Sequence, residues 1–161
     1  MDQGHATGLA DPEVWAPRLV RLLERQRALY ADLDALSQTQ GPLIASDQTD
    51  RLLEVLARRQ GLIDELSTLN QEIAPFTGDW ARLSGGLSDP HRLAIRERFE
   101  AVSALAASIA SRDEEHRRAL EARRAGIGSE LAGLARARGA AAAYSGSASA
   151  SPTPRYQDRE G

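Results

Sequence analysis

The chain is 161 residues long, with 20 basic residues, 23 acidic residues and no cysteine. This length corresponds to about one domain, and the lack of cysteine excludes disulfides, thiolate zinc sites and cysteine nucleophiles. The basic residues are all arginine, and the net charge of −3 argues against a general nucleic-acid or anionic-membrane binder. The apolar residues include 28 Ala and 21 Leu but only 4% of the chain is aromatic, which favours an elongated all-α protein over an α/β or sandwich fold.

From Pro12 onward the apolar residues recur in alternating steps of four and three, the pattern of a helix packed along a partner helix. This first seam comprises Trp15, Leu19, Leu22, Gln26, Leu29, Leu33, Leu36, Gln40 and Leu43. Its two glutamines are either polar layers that set the register or merely tolerated. Gly41-Pro42 should stop or kink the helix, because proline lacks an amide donor and its ring crowds the preceding turn. The first helix is therefore predicted over residues 13–44.

A second helix is predicted over residues 48–74. Asp47, with Asp50 three residues later, is typical of an N-cap, and Pro75 is expected to end the helix. The seam of this helix comprises Leu52, Val55, Arg59, Leu62, Leu66, Leu69 and Ile73. Because the connecting loop is short, the two helices are expected to form an antiparallel hairpin.

Residues 75–87 are rich in Pro, Gly, Asp and Ser and are predicted to form a loop. Trp80 in this loop is either a lid over one end of the hairpin or an exposed docking residue. Ser88-Asp89-Pro90 then predicts the start of a third helix, with proline at its first position, that extends to Tyr144. Its seam comprises Ile95, Phe99, Val102, Ala106, Ile109, Asp113, His116, Leu120, Arg123, Ile127, Leu131 and Leu134.

At 1.5 Å per residue the third helix would be about 80 Å long, roughly twice the length of either earlier helix. Only its first half can pack against the hairpin, so its second half has an apolar surface with no partner in the chain. This surface, here called the C-terminal stripe, is the candidate partner-binding site and consists of Leu120, Ile127, Leu131 and Leu134.

The character of the chain changes along the third helix. Gly126 and Gly128 together weaken a helix by about 2 kcal/mol relative to alanine, which predicts a hinge near residue 126. The net charge is −6 over residues 1–122 and +3 over residues 123–161. The predicted organisation is a flexible N-terminus (1–12), a helical domain (13–144) made of the hairpin and the long third helix in a coiled-coil-like bundle, and a disordered tail (145–161) rich in Ser, Ala, Gly and Pro.

Asp113 and His116, three residues apart on one helical face, are the nearest approach to a catalytic or metal site. A carboxylate-bridged di-metal bundle needs such a pair on two helices and further carboxylates on the others. The facing seams supply Gln26, Gln40, Arg59 and Asn70 instead. A buried polar layer or a solvated face is therefore favoured over a metal site, and no positioned nucleophile or Gly-rich phosphate loop is present. The sequence predicts no enzyme, no catalytic residue, no metal and no cofactor.

Arginine pairs such as Arg58-Arg59 and Arg117-Arg118 are interpreted as solvated faces near acidic residues. For the basic residues of the second half of the third helix, the alternative is contact with an acidic partner helix. These residues are Arg123, Arg124, Arg136 and Arg138. Tyr144 either caps the last turn against the bundle or is a docking anchor. A cytoplasmic location is expected, since Met1–Glu13 lacks the features of a signal peptide and no apolar run is long enough to cross a bilayer.

Four motifs follow one another between Val14 and Tyr144: Leu22–Gln26 with Leu29-Tyr30, Leu43–Asp47 leading to Leu52–Leu56, Arg59–Leu66, and Leu131–Tyr144. Together they resemble the FlgN-type flagellar export chaperones. Each string is a short coiled-coil pattern, so the resemblance rests on their order and spacing.

The resemblance implies a cytoplasmic chaperone that binds the C-terminal amphipathic helices of the hook–filament junction proteins (FlgK- and FlgL-like). Such a chaperone prevents premature assembly and delivers its cargo to the type III export gate (FlhA-like), and Tyr144 matches the tyrosine that family members use at that gate. Nucleic acid is then not a partner, and the membrane is contacted only through the gate. The alternative from the residues themselves is a structural coiled-coil protein that homodimerises through its apolar stripe.

Overall fold

The computed structural model describes Leu9 and residues 11–148, which form four α-helices and no strand. The helices are α1 (Pro12–Ala45), α2 (Thr49–Gly78), α3 (Trp80–Gly85) and α4 (Asp89–Ala148). The predicted all-α class is confirmed, with one more helix than the three that the sequence predicts. The chain divides into two compact units, the first ending at Ala119 and the second beginning at Leu120. Residues 1–8, 10 and 149–161, which make up most of the predicted flexible N-terminus and disordered tail, lie outside the described residues.

The start of α1 follows from local chemistry. Asp11 is extended and its carboxylate accepts a hydrogen bond from the Glu13 amide at 3.0 Å, while Pro12 occupies the first turn, where no amide donor is needed. Leu9, in the segment predicted to be flexible, is partly buried against the core.

Gly41-Pro42, predicted to stop or kink the first helix, does not stop it: α1 continues through both residues to Ala45, one residue past the predicted end at residue 44. Pro42 lies in the last turn, and its carbonyl accepts hydrogen bonds from both the amide and the hydroxyl of Ser46, at 3.0 and 2.7 Å. Burial of Ile44 in the same turn stabilises this extension. The predicted N-cap role of Asp47 is also wrong: this residue has a φ of 60° in the turn, and Gln48 occupies the cap position without a side-chain cap bond.

The prediction that Pro75 ends the second helix is wrong as well, since α2 continues to Gly78. Phe76, directly after the proline, is buried and packs on Trp15 with ring centroids 6.1 Å apart. Burial of an aromatic side chain is worth about 1.5–3 kcal/mol, comparable to the roughly 3 kcal/mol that an interior proline costs a helix.

The predicted loop over residues 75–87 contains α3 instead. Leu83 on this helix and Leu87 after it are buried in the core, so an amphipathic turn forms where composition alone indicates a loop. Trp80 is partly buried and packs edge-on against Phe99, with ring centroids 6.2 Å apart. This contact favours the interpretation of Trp80 as a lid.

The core of the first unit lies between α1, α2 and the first part of α4. Trp15 contacts Phe76, Gln26 donates to Asn70 at 2.8 Å, and Gln40 accepts from Arg59 at 3.0 Å. Residue numbers thus rise along α1 as they fall along α2, so these contacts are antiparallel. Both glutamines of the first seam make interhelical hydrogen bonds, which supports their role in setting the register.

The helix α4 begins one residue earlier than predicted and continues past Tyr144 to Ala148. Its buried side chains are all in the first unit, at Ile95, Val102 and Ile109. Within the described part of the second unit, from Leu120 to Ser147, no side chain is buried.

Candidate partner-binding surface

Asp113, one half of the candidate metal pair, belongs to a polar layer between the helices of the first unit. The Arg59 guanidinium donates to both of its carboxylate oxygens, one bond measuring 2.7 Å, and to the Gln40 side chain. Within residues 11–148 no group of three acidic or histidine side chains has the arrangement needed to hold a metal ion. The polar-layer interpretation therefore describes this cluster, and an arginine at its centre would repel a cation.

His116, the other half of the candidate metal pair, lies against α1 at Gly41, a residue without a side chain. A Cβ built on Gly41 would stand 3.1 Å from the His116 Nε2 atom. The Nδ1 atom is buried and has no hydrogen-bond partner in the described structure. Gly41 thus makes room for the imidazole, a role that the predicted stop or kink at Gly41-Pro42 did not include.

Three ion pairs in the first unit join α4 to the other helices. Arg98 donates to Glu24 at 2.7 Å, Arg112 contacts Asp34, and Arg59 contacts Asp113. The Arg112 hydrogen bond is the main cause that holds the pKa of the Asp34 carboxyl below its ordinary value, and burial opposes this effect. On the exposed face of α4, Arg117 and then Arg118 lower the pKa of Glu114 to about 2.

The C-terminal stripe lies in the second unit and its four members are exposed. The exposed fractions are 43% for Leu120, 52% for Ile127, 61% for Leu131 and 59% for Leu134. Since α4 is helical throughout this segment, the spacing of three, four and seven residues puts all four on one face. A contiguous exposed apolar face of this kind is typical of an interaction site.

The arginines of the second unit do not share one face. At 100° per residue, Arg124 and Arg138 fall on the C-terminal stripe, in steps of three or four residues from its apolar members. Arg136 is two residues from Arg138 and therefore projects from the opposite side of the helix. Arg123, three residues after Leu120 and four before Ile127, also falls on the stripe, on the side opposite to Arg124, and it is half-buried.

Tyr144 lies inside the last turns of α4 rather than at the border between the helix and a tail. Its side chain is 81% exposed, which leaves little contact for the alternative in which it packs on the bundle. The helix continues four residues past it, and the Ser147 hydroxyl donates to its carbonyl at 2.9 Å.

Sequence reasoning missed two further surface features of the first unit. Leu53, Leu56 and Ile63 form an exposed apolar set on α2, off the seam that faces α1. Close to Ile63 an open groove of about 690 Å³ runs between α2 and α4, with Tyr30 and Ile109 among its lining residues. A second heptad pattern in α2, offset by one residue from the first, is the sequence signal that marks this face.

The described helices include none that is both long enough and apolar enough to span a lipid bilayer.

Fold and surface together define an all-α, helical-bundle protein with an exposed apolar stripe on its last helix. The sequence matches the family described as FlgN protein over residues 15–152. Because this match covers most of the chain, the protein belongs to the FlgN family, whose members are flagellar export chaperones. Comparison with curated proteins and with solved structures finds no match.

Proposed function

We propose that this protein is a type III export chaperone that binds the C-terminal helices of hook–filament junction proteins through the C-terminal stripe. The exposed apolar face of Leu120, Ile127, Leu131 and Leu134 is the observation that carries the proposal. A cargo helix laid on this face buries its own apolar residues, in the mode read through anchors three and four residues apart. Covering those residues keeps the cargo from assembling before export.

Each of the two units has its own role in this proposal. In this proposal α1 and α2 form an antiparallel hairpin that, with the first part of α4, makes a stable body over residues 13–119. The second unit binds cargo, the protein acts in the cytoplasm, and it passes FlgK- and FlgL-like cargo to an FlhA-like export gate.

The cargo proposal is tested with Leu131→Asp/Leu134→Asp and the C-terminal helical peptides of the same organism's junction proteins. Loss of buried leucine contacts is expected to cost about 2 kcal/mol or more at each position, which amounts to about a thousandfold or more in affinity for the pair. Calorimetric titration measures the affinity and stoichiometry. Unchanged affinity contradicts the proposal, and a stripe occupied by a second copy without any cargo complex favours the structural coiled-coil alternative.

Tyr144 is proposed as the residue that docks at the export gate. It offers a rigid apolar ring with a polar hydroxyl, the combination favoured at interface hot spots, and its side chain is almost fully exposed. Tyr144→Ala is expected to weaken binding to the cytoplasmic domain of the gate by about tenfold, or 1.4 kcal/mol, without changing cargo affinity or melting temperature. A lower melting temperature with unchanged gate binding would assign the tyrosine to the fold instead.

A further inference from the structure

The first unit shows how α4 uses arginine when it packs on another helix. Arg98 and Arg112, fourteen residues apart on α4, pair with Glu24 and Asp34 on α1. Between the two arginines, Val102 and Ile109 are buried in the core. The contact therefore combines an apolar seam with two arginines, each of which meets a carboxylate on the neighbouring helix.

The described part of the second unit has the same combination of an apolar seam and two arginines, but here the apolar side chains are exposed. Arg124 and Arg138 are again fourteen residues apart and lie on the C-terminal stripe, with Ile127, Leu131 and Leu134 between them. Both arginines are exposed, and neither forms an ion pair among the residues that the structure describes. The apolar side chains between them are more than half exposed.

We infer that the cargo helix bound by the C-terminal stripe is acidic, and that it carries two carboxylates that pair with Arg124 and Arg138. This inference rests on the proposed function, and it adds the charge of the partner and the two residues that select it. Glu24 and Asp34 are ten residues apart on α1, which is about 15 Å along the helix, whereas the arginines that they contact are fourteen residues apart on α4, about 21 Å. The long arginine side chains bridge the difference. The two carboxylates of the cargo are therefore expected ten to fourteen residues apart, with apolar residues between them.

The charge distribution of the chain supports this choice of partner. Residues 123–161 have a net charge of +3, although the chain as a whole has a net charge of −3. Arginine on an apolar helix face recognises carboxylates by charge-assisted hydrogen bonds, and a basic cargo helix would be repelled there.

The test uses the full chain and the C-terminal peptides of the organism's own FlgK- and FlgL-like proteins. Arg138→Glu, on the stripe, is compared with Arg136→Glu, which makes the same charge change on the opposite face. Arg138→Glu is expected to weaken peptide binding by about tenfold and Arg136→Glu by less than about twofold. The difference should shrink between about 0.05 M and about 0.3 M salt, because salt screens a surface ion pair. Circular dichroism checks that both variants have the helicity of the wild type.

A charge exchange on the peptide completes the test. Changing one of its two spaced acidic residues to arginine should weaken binding to the wild type and restore binding to Arg138→Glu or Arg124→Glu. Equal effects of Arg138→Glu and Arg136→Glu, or peptides without such an acidic pair, would overturn the inference. If Leu131→Asp/Leu134→Asp abolishes binding while Arg138→Glu does not, the charge inference fails and the proposed function stands. If the double aspartate variant still binds, the proposed function fails and the inference fails with it.

Discussion

At several positions of the first unit, contacts with distant parts of the chain explain which residue is present. Gly41 lacks a side chain where the His116 imidazole approaches α1, and Arg59 joins Gln40 of α1 to Asp113 of α4. Each of these residues looks ordinary or unfavourable in its own helix. The contacts that these residues make form only when α1, α2 and α4 are packed together.

The Gly41 contact predicts a coupling between two substitutions. Gly61→Ala, where a Cβ meets nothing within 4 Å, should stabilise the protein by up to about 1 kcal/mol through helix propensity. Gly41→Ala should lack this gain, because its Cβ would crowd His116 and would precede Pro42. Denaturant unfolding should show that His116→Ala relieves part of the cost, with a coupling of at least about 0.5 kcal/mol. An identical effect of Gly41→Ala in both backgrounds would argue against this contact.

At the scale of elements, the two parts of α4 differ in what stabilises them. The first part is anchored by buried Ile95, Val102 and Ile109, whereas the second has no buried side chain among its described residues. Helices without a packed face depend on propensity alone and are marginal in water. The hinge predicted at Gly126 lies in this second part, where the structure is helical.

The resulting prediction concerns hydrogen exchange. Amides of residues 127–143 are expected to be weakly protected in the free protein and strongly protected once cargo is bound, because ordering is completed on binding. Gly126→Ala/Gly128→Ala should raise protection in the free protein, since the two alanines favour the helix by about 2 kcal/mol. Ala125→Gly, as the opposite change beside the same site, should lower it. Strong protection of residues 127–143 in the wild type before cargo is added would show a rigid helix and contradict the predicted hinge.

At the scale of the whole molecule, ion pairs join the helices of the first unit while apolar burial supplies most of the stability. Arg98–Glu24 and Arg112–Asp34 lie along one side of α4 and Arg59–Asp113 along another. A partly buried pair of this kind contributes about 1 kcal/mol, less than one fully buried leucine.

The Asp34 pair predicts how stability depends on pH. Its carboxyl has a pKa below the ordinary value of 3.8, so the folded state favours the ionised form. The stabilisation is therefore complete above about pH 4 and is lost as the pH falls through 3.8 toward the folded-state pKa. Asp34→Asn should be less stable than wild type by about 1 kcal/mol at pH 7, and this difference should shrink as the pH falls below 3.8. Thermal unfolding across this range measures it, and a difference independent of pH would assign the effect to packing.

Much of the fold was predictable because the apolar residues of a helix recur at a regular local spacing in the sequence. The steps of three and four identified the helices α1, α2 and α4, and the length of the third helix relative to the other two identified the C-terminal stripe. The buried face of α1 was predicted less well: Leu23, Ser37 and Ile44 are buried where the pattern selected the residue before each of them. A seam drawn for one partner helix cannot account for a face that packs against two.

The sequence alone determined the all-α class, the family resemblance that the FlgN match confirms, and the exposed stripe, since all three depend on local period and on the order of motifs. Tertiary structure decided that Gly41-Pro42 does not stop α1, that α2 continues through Pro75, that α3 forms, and that Asp113 pairs with Arg59. The physical reason is that local rules specify what a backbone prefers, whereas burial of Ile44, Phe76 and Leu83 comes from contacts with distant parts of the chain. Each such burial is worth about 1.5–3 kcal/mol, as much as the local preference it opposes.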